Sequence, residues 1–153
     1  MSAPPEVPID DGHCIGCGKL SAIGLKMSFA IEEDRSVESR ISVGPTFAGW
    51  RGIVHGGIVA LLLDEAMAYA AAAHGVVGMT GELKMRFRES VIVDTPLVVR
   101  GEVLWQRRGI LGVSARVERE DGGTLLASGE GRFVKRGDVE PGTFGESRFR
   151  ART

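Results

Sequence analysis

Apolar and polar positions alternate in several separate stretches of this chain, and one long stretch breaks the alternation. LKMSFAI (25–31) and VESRISV (37–43) repeat with a period of two and are joined by the charged turn EEDR, which predicts two strands. From Gly44 to His55 the period is lost, and Pro45 with glycines at 44, 49 and 52 marks a loop. GGIVALLLDEAMAYAAAAHG (56–75) is apolar nearly all round. It predicts a helix over about 57–74, stopped by His74 and Gly75. A helix with so little polar surface belongs in a core. Its length would also suit a membrane, but Asp64 and Glu65 at its centre would each cost roughly 3 kcal/mol there. Every later segment reads as strand: 77–87, 97–107, 110–120 and 124–135, with short linkers containing Asp94-Thr95-Pro96, Arg108-Gly109 and Asp121-Gly122-Gly123. Two strands, one long apolar helix and four strands in a meander predict an α+β fold, a curved antiparallel sheet wrapped around the central helix.

The 153 residues suit one domain, and a domain of this size buries a core without disulfide staples. The organisation read from the pattern is a disordered lead at 1–12, a single domain at 13–136 and a polar, flexible Gly/Arg-rich tail at 137–153. Twenty-two glycines are about twice the usual share. They have no triplet period, which excludes collagen. Several fall inside predicted strands, where glycine marks a bend or a close backbone approach. A formal charge of −1 gives no basic footprint for nucleic acid. The first residues, MSAPPEVPIDDG, lack the basic and apolar regions of a secretory signal, so a cytoplasmic protein is expected. Cys14 and Cys17 form a C-x-x-C in a glycine-rich loop. With only His13 nearby they fall short of the usual four zinc ligands, and no strand-to-helix context supports a redox motif. Neither a metal nor a cofactor is expected.

Between Gly52 and Gly81 the only formally charged residues are Asp64 and Glu65. A carboxylate on a buried helix must be paired, protonated or turned to a cleft. Seen alone, Asp64 reads as a hydrogen-bonded or interface carboxylate, or as a catalytic one. His55-Gly56-Gly57 opens the helix. Unpaired N–H groups there, at the positive end of the helix dipole, suit a carbonyl oxygen gaining negative charge, and equally suit a simple N-cap. Gly57 and Asp64 lie about 10 Å apart along the axis. One reacting carbonyl cannot meet both within one subunit, so if both are catalytic the site lies between two subunits.

The run GIVHGGIVALLLDEAMAYA, followed by TGELKMRFRESVIVDTPLVVRGEV, resembles the hotdog-fold acyl-CoA thioesterases of the phenylacetate-pathway (PaaI-like) branch. HGG, an acid nine residues after the His and a Thr sixteen residues after the acid carry the likeness, which covers about 13–135. The resemblance implies hydrolysis of an acyl-CoA thioester to free acid and CoA at the interface of an obligate homodimer, dimer or homotetramer being left open. It implies no nucleic-acid or membrane partner. Gly57 would polarise the thioester carbonyl. Asp64, from the other subunit, would be nucleophile or general base. Thr80 would help place the water, and His55 would orient the thioester or hold the loop. Gly56 would open the backbone to substrate. Trp50 and Phe47 would wall the acyl group or pack the loop. Arg86 and Arg88, with Arg107 and Arg108 behind them, would hold CoA phosphates or remain solvated charges. Many relatives carry an Asn five or six residues before HGG; here Gly49 and Trp50 stand there. Glu65 reads as a structural partner. The alternative is a non-hydrolytic acyl-CoA binding or sensing protein of the same fold.

Overall fold

The computed structural model describes residues 7–151. In chain order its elements are β1 (Phe29–Ile31), β2 (Val37–Ile41), a 3-10 turn at Pro45–Phe47, α1 (Gly56–Ala73), β3 (Val76–Phe87), β4 (Leu97–Arg107), β5 (Ile110–Arg119), β6 (Leu125–Asp138) and β7 (Ser147–Phe149). The strands form one sheet in the order β3-β6-β5-β4-β2-β1-β7. All neighbours pair antiparallel except β1 and β7, which run parallel. This is the hotdog arrangement expected from the sequence, one helix held in a curved sheet.

α1 ends as its sequence predicts. Gly75 takes φ +82, a conformation that favours glycine, and the Arg35 guanidinium donates to the Ala73 carbonyl at 3.2 Å. Leu62, Leu63, Ala66, Met67, Ala70 and Ala71 are fully buried and belong to one core with Val99, Leu111, Val113, Val117 and Phe133 from the sheet. The sheet therefore covers most of a helix whose length and composition would otherwise suit a membrane. Contact is closest at β4. A Cβ built on Gly101 would lie 2.4 Å from the Ala66 carbonyl oxygen, so backbone meets backbone there. One stripe of α1 stays partly uncovered: Gly57, Leu61, Asp64 and Ala68, at helical spacing on one face.

Two elements depart from expectation. Only 29–31 of the predicted strand 25–31 join the sheet. The backbone N–H groups of Leu25 and Met27 instead donate to Ile15 and Gly16 carbonyls at 2.9 Å each, with Lys26 at φ +53 between them. The polar segment expected to trail as a flexible tail is part of the domain through its described residues. β6 runs to Asp138, and β7 adds to the edge of the sheet. The segment is anchored because its few apolar and polar groups find partners. Phe144 packs edge-on to Tyr69 at 5.1 Å, the Glu146 N–H donates to the Tyr69 hydroxyl at 2.9 Å, and Arg150 reaches buried Glu38 at 3.1 Å. Burial opposes the charge on Glu38, but Arg150, Arg100 and Arg40 outweigh it and hold its carboxyl below the usual range. Residues 1–6 of the expected lead and 152–153 of the tail lie outside the described residues.

Substitution at Gly101 tests the contact on which the helix is seated. Gly101→Ala should lower the unfolding free energy by roughly 1–3 kcal/mol, the range for overpacking a tight site, as read by urea titration. An unchanged midpoint would mean that β4 and α1 move apart freely.

Candidate functional site

The loop before α1 is tied at several points that together place His55. The His55 N–H donates to the Phe47 carbonyl at 2.9 Å, Gly49 N–H to Ile53 at 2.9 Å, and Val54 N–H to Val91 at 2.8 Å. Gly49 leaves space for the ring, since a Cβ there would stand 3.2 Å from His55 Cδ2. The imidazole then caps the helix. His55 Nδ1 accepts from the Gly57 N–H at 2.8 Å, which requires the proton of the neutral ring to sit on Nε2. Ile58 and Val59 N–H groups turn to the His55 carbonyl at 2.9 and 3.1 Å. Of the first four helical N–H groups, Gly56 alone has no partner among the described residues. The resemblance gives the carbonyl-polarising role to Gly57. That donor is engaged by His55.

Asp64 and Thr80, sixteen positions apart, meet in the same chain. The Thr80 hydroxyl donates to Asp64 Oδ1 at 2.7 Å. The short link from α1 into β3 brings the strand back along the helix. A register shift between Thr80 and Glu82 interrupts the ladder beside Thr80, the kind of irregularity that re-aims a side chain. Asp64 is half-buried on the uncovered stripe of α1, and Thr80 is exposed. Asp64 Oδ2 has no partner among the described residues. Glu65, one position on, turns elsewhere. The Cys14 thiol donates to its Oε1 at 3.3 Å, which fits the structural role expected of it.

A cleft of about 440 Å³ opens at the helix N-terminus between the loop and the end of β3. It gathers four of the expected residues: His55, Gly56, Trp50 and Arg88. Trp50 is 82% exposed, so its indole is not loop filling. Phe47 lies outside the cleft, half-buried against the core. Arg86 lines a different, larger groove of about 670 Å³, shared with Arg88, Arg100 and Arg116. Because Gly101 abuts α1, its neighbour Arg100 points off the opposite side, and the groove lies on the sheet face turned from the helix. Phe87 was not singled out as a site residue, yet it lines the cleft and is 55% exposed. Its signal in the sequence was an aromatic ring between two arginines at a strand end.

The model of the thioesterase superfamily matches residues 51–126, from the loop before α1 into β6. A crystal structure of a thioesterase superfamily protein is 28% identical with a TM-score of 0.75; the match covers 80% of this chain and 60% of that one, so this chain spans well under two thirds of that relative's length. A Streptococcus mutans protein bound to acetyl-CoA is 17% identical, with a TM-score of 0.69 over 74% of this chain and 91% of that one. The Escherichia coli PaaI protein from the phenylacetic acid degradation operon is 16% identical, with a TM-score of 0.69 over 75% and 83%. The last two share the fold with this chain. No curated protein matches its sequence.

The imidazole cap has a measurable stability signature. His55→Ala removes the acceptor for the Gly57 N–H and should lower the unfolding free energy by about 1 kcal/mol, read by chemical denaturation. No loss of stability would mean that the ring does not cap the helix in solution.

Proposed function

Because the chain belongs to the thioesterase superfamily, we propose that it hydrolyses an acyl-CoA thioester to free acid and CoA, in active sites formed between two copies of the chain. The observation that carries this reading is the Thr80–Asp64 hydrogen bond on the uncovered stripe of α1. A carboxylate whose one oxygen is held by a hydroxyl keeps the other available for a proton or a carbonyl carbon. The spacing of HGG, Asp64 and Thr80 supports placement in the PaaI-like branch. The acetyl-CoA bound by the Streptococcus mutans protein supports the ligand class.

Two features support the dimer. β3 is twelve residues long, pairs with β6 along one edge and leaves the other edge open at the end of the sheet. Met79, Leu83 and Phe87 on it are exposed. An open strand edge of that length with apolar side chains is a template for a second strand. The stripe of α1 beside it is apolar except for Asp64. The ~10 Å between Gly57 and Asp64 along the helix gives the second reason. A thioester carbonyl at the helix N-terminus of one copy would be met by Asp64 of the other.

The thioester oxygen would lie at the Gly56 and Gly57 N–H groups, where the dipole favours the developing negative charge. His55 would give up its bond to Gly57, or share it, as that charge forms. Asp64 would either take a proton from water held by Thr80 or attack the carbonyl itself. Trp50 and Phe87 would flank the acyl group, and Arg88 would meet the CoA phosphates at the cleft rim. Arg86 and Phe47 stand further off, the one on the outer groove and the other behind the loop. Free thiols at Cys14 and Cys17 fit the cytoplasm, the compartment we propose for the reaction.

One observation favours the second reading, acyl-CoA binding without hydrolysis: the Gly57 donor is already taken by His55. Release of CoA thiol from a panel of aromatic and aliphatic acyl-CoAs separates the two. Asp64→Asn should reduce kcat at least about 10²-fold while acyl-CoA still binds. Near-normal turnover in that variant rejects the assignment. Sedimentation equilibrium should give a dimer or a larger even assembly, and a monomer at assay concentration rejects the shared site.

A further inference from the structure

The C-x-x-C loop has a third member that no local motif contains. Cys14 Sγ, Cys17 Sγ and a Glu65 carboxylate oxygen all lie within 4.8 Å of one another. Glu65 comes from the middle of α1, on the side away from the cleft. We propose that Cys14, Cys17 and Glu65 bind a borderline divalent d-block cation of the zinc class, which would clip the N-terminal loop to the central helix.

The loop is shaped for this set before any ion arrives. Gly16 N–H donates to Cys14 Sγ at 3.3 Å, and Gly18 N–H to the Cys14 carbonyl at 2.8 Å. Tyr69, in the same buried cluster as Cys17, is fixed by the Glu146 N–H at 2.9 Å. The loop backbone lies directly against the carboxylate: a Cβ at Gly16 would stand 2.4 Å from Glu65 Cδ. Leu20 N–H to the Gly12 carbonyl, and Leu25 and Met27 N–H to Ile15 and Gly16 carbonyls, all at 2.9 Å, hold the turn in place from outside.

The chemistry of the three groups is otherwise unexplained. Glu65 is a half-buried carboxyl with no ion pair among the described residues, and the Cys14 thiol that donates to it is a weak donor. A divalent cation there would be met by up to three anionic ligands, two thiolates and a carboxylate, whose protons pass to solvent on binding. Around zinc, Zn–S bonds of ~2.3 Å and Zn–O bonds of ~2.1 Å put ligand atoms about 3.5–3.8 Å apart. The cluster thus needs to tighten by roughly 1 Å or less. Cys14 and Glu65 are half-buried, which leaves a solvent side where water completes a tetrahedron. Two thiolates select zinc-class ions over magnesium or calcium.

The test uses the full chain, purified and kept under reducing conditions, with zinc for stoichiometry and cobalt(II) as the spectroscopic probe. One zinc per chain by elemental analysis is expected. Cobalt should give the thiolate-to-metal charge-transfer band and the intense visible bands of a four-coordinate site. Cys14→Ser should abolish the charge-transfer intensity of one thiolate. Glu65→Gln, nearly isosteric, should weaken binding at least tenfold with the circular dichroism spectrum unchanged. Because Cys17 is buried, Cys17→Ser is read only if its circular dichroism matches wild type. Absence of the charge-transfer band in the reduced wild-type protein overturns the proposal, as does undiminished metal binding in Cys14→Ser. Metal stoichiometry is independent of thiol release from acyl-CoA, so failure here leaves the hydrolase reading standing, and the converse.

Discussion

The structure rests on how closely the sheet can approach one helix. At Gly101 and Ala66 no side chain of any size separates β4 from α1, and at Gly129 and Gly131 the sheet leaves space for Met67. A sheet pulled this near must curve around the helix, and the curvature leaves a strip of helix partly uncovered. Asp64 sits on that strip. The glycine excess of the sequence is therefore a packing requirement, and the position of the half-exposed carboxylate follows from it.

The same closeness separates two neighbouring acids. Asp64 and Glu65 differ by about 100° around α1. One faces the open edge of the sheet and a threonine; the other faces a partly buried loop with two thiols. Adjacent residues of similar chemistry thus acquire different surroundings with no help from distant charge. Burial raises the Glu65 carboxyl above its usual range, while one Asp64 oxygen has no partner among the described residues.

Much of this was legible in the chain. The helix was read as 57–74 and runs over 56–73, and the four strands after it fall within a few residues of their expected bounds. Those elements carry strong periodicity and clear stops. β7 was not legible, because three residues in a polar segment carry no period. Its place is set by Arg150, Phe144 and Tyr69, contacts that join distant parts of the chain. The shortened β1 was missed for a related reason, since a loop took the hydrogen bonds that alternation assigned to a strand. In the site, Thr80 was marked only by the resemblance, and its hydrogen bond to Asp64 depends on how β3 returns along α1. The imidazole cap depends on one ring orientation, which residue types alone do not specify. The Cys14–Glu65 contact spans loop and helix 51 positions apart, beyond the reach of any local motif.

The parallel pairing of β1 with β7 bears on how the chain is assembled. Phe29 is registered with Ser147, so one edge of the sheet joins segments far apart in the sequence. On a ribosome, β1 can pair with β2 and α1 can pack on β3 early, whereas the pairing of β1 with β7 must wait until residues 147–149 are made. Closing so long a loop is slow, because its entropy is lost before its contacts form. The edge made by β1 and β7 is thus the natural last step of folding. During synthesis the side of the core that it covers stays open to water longest.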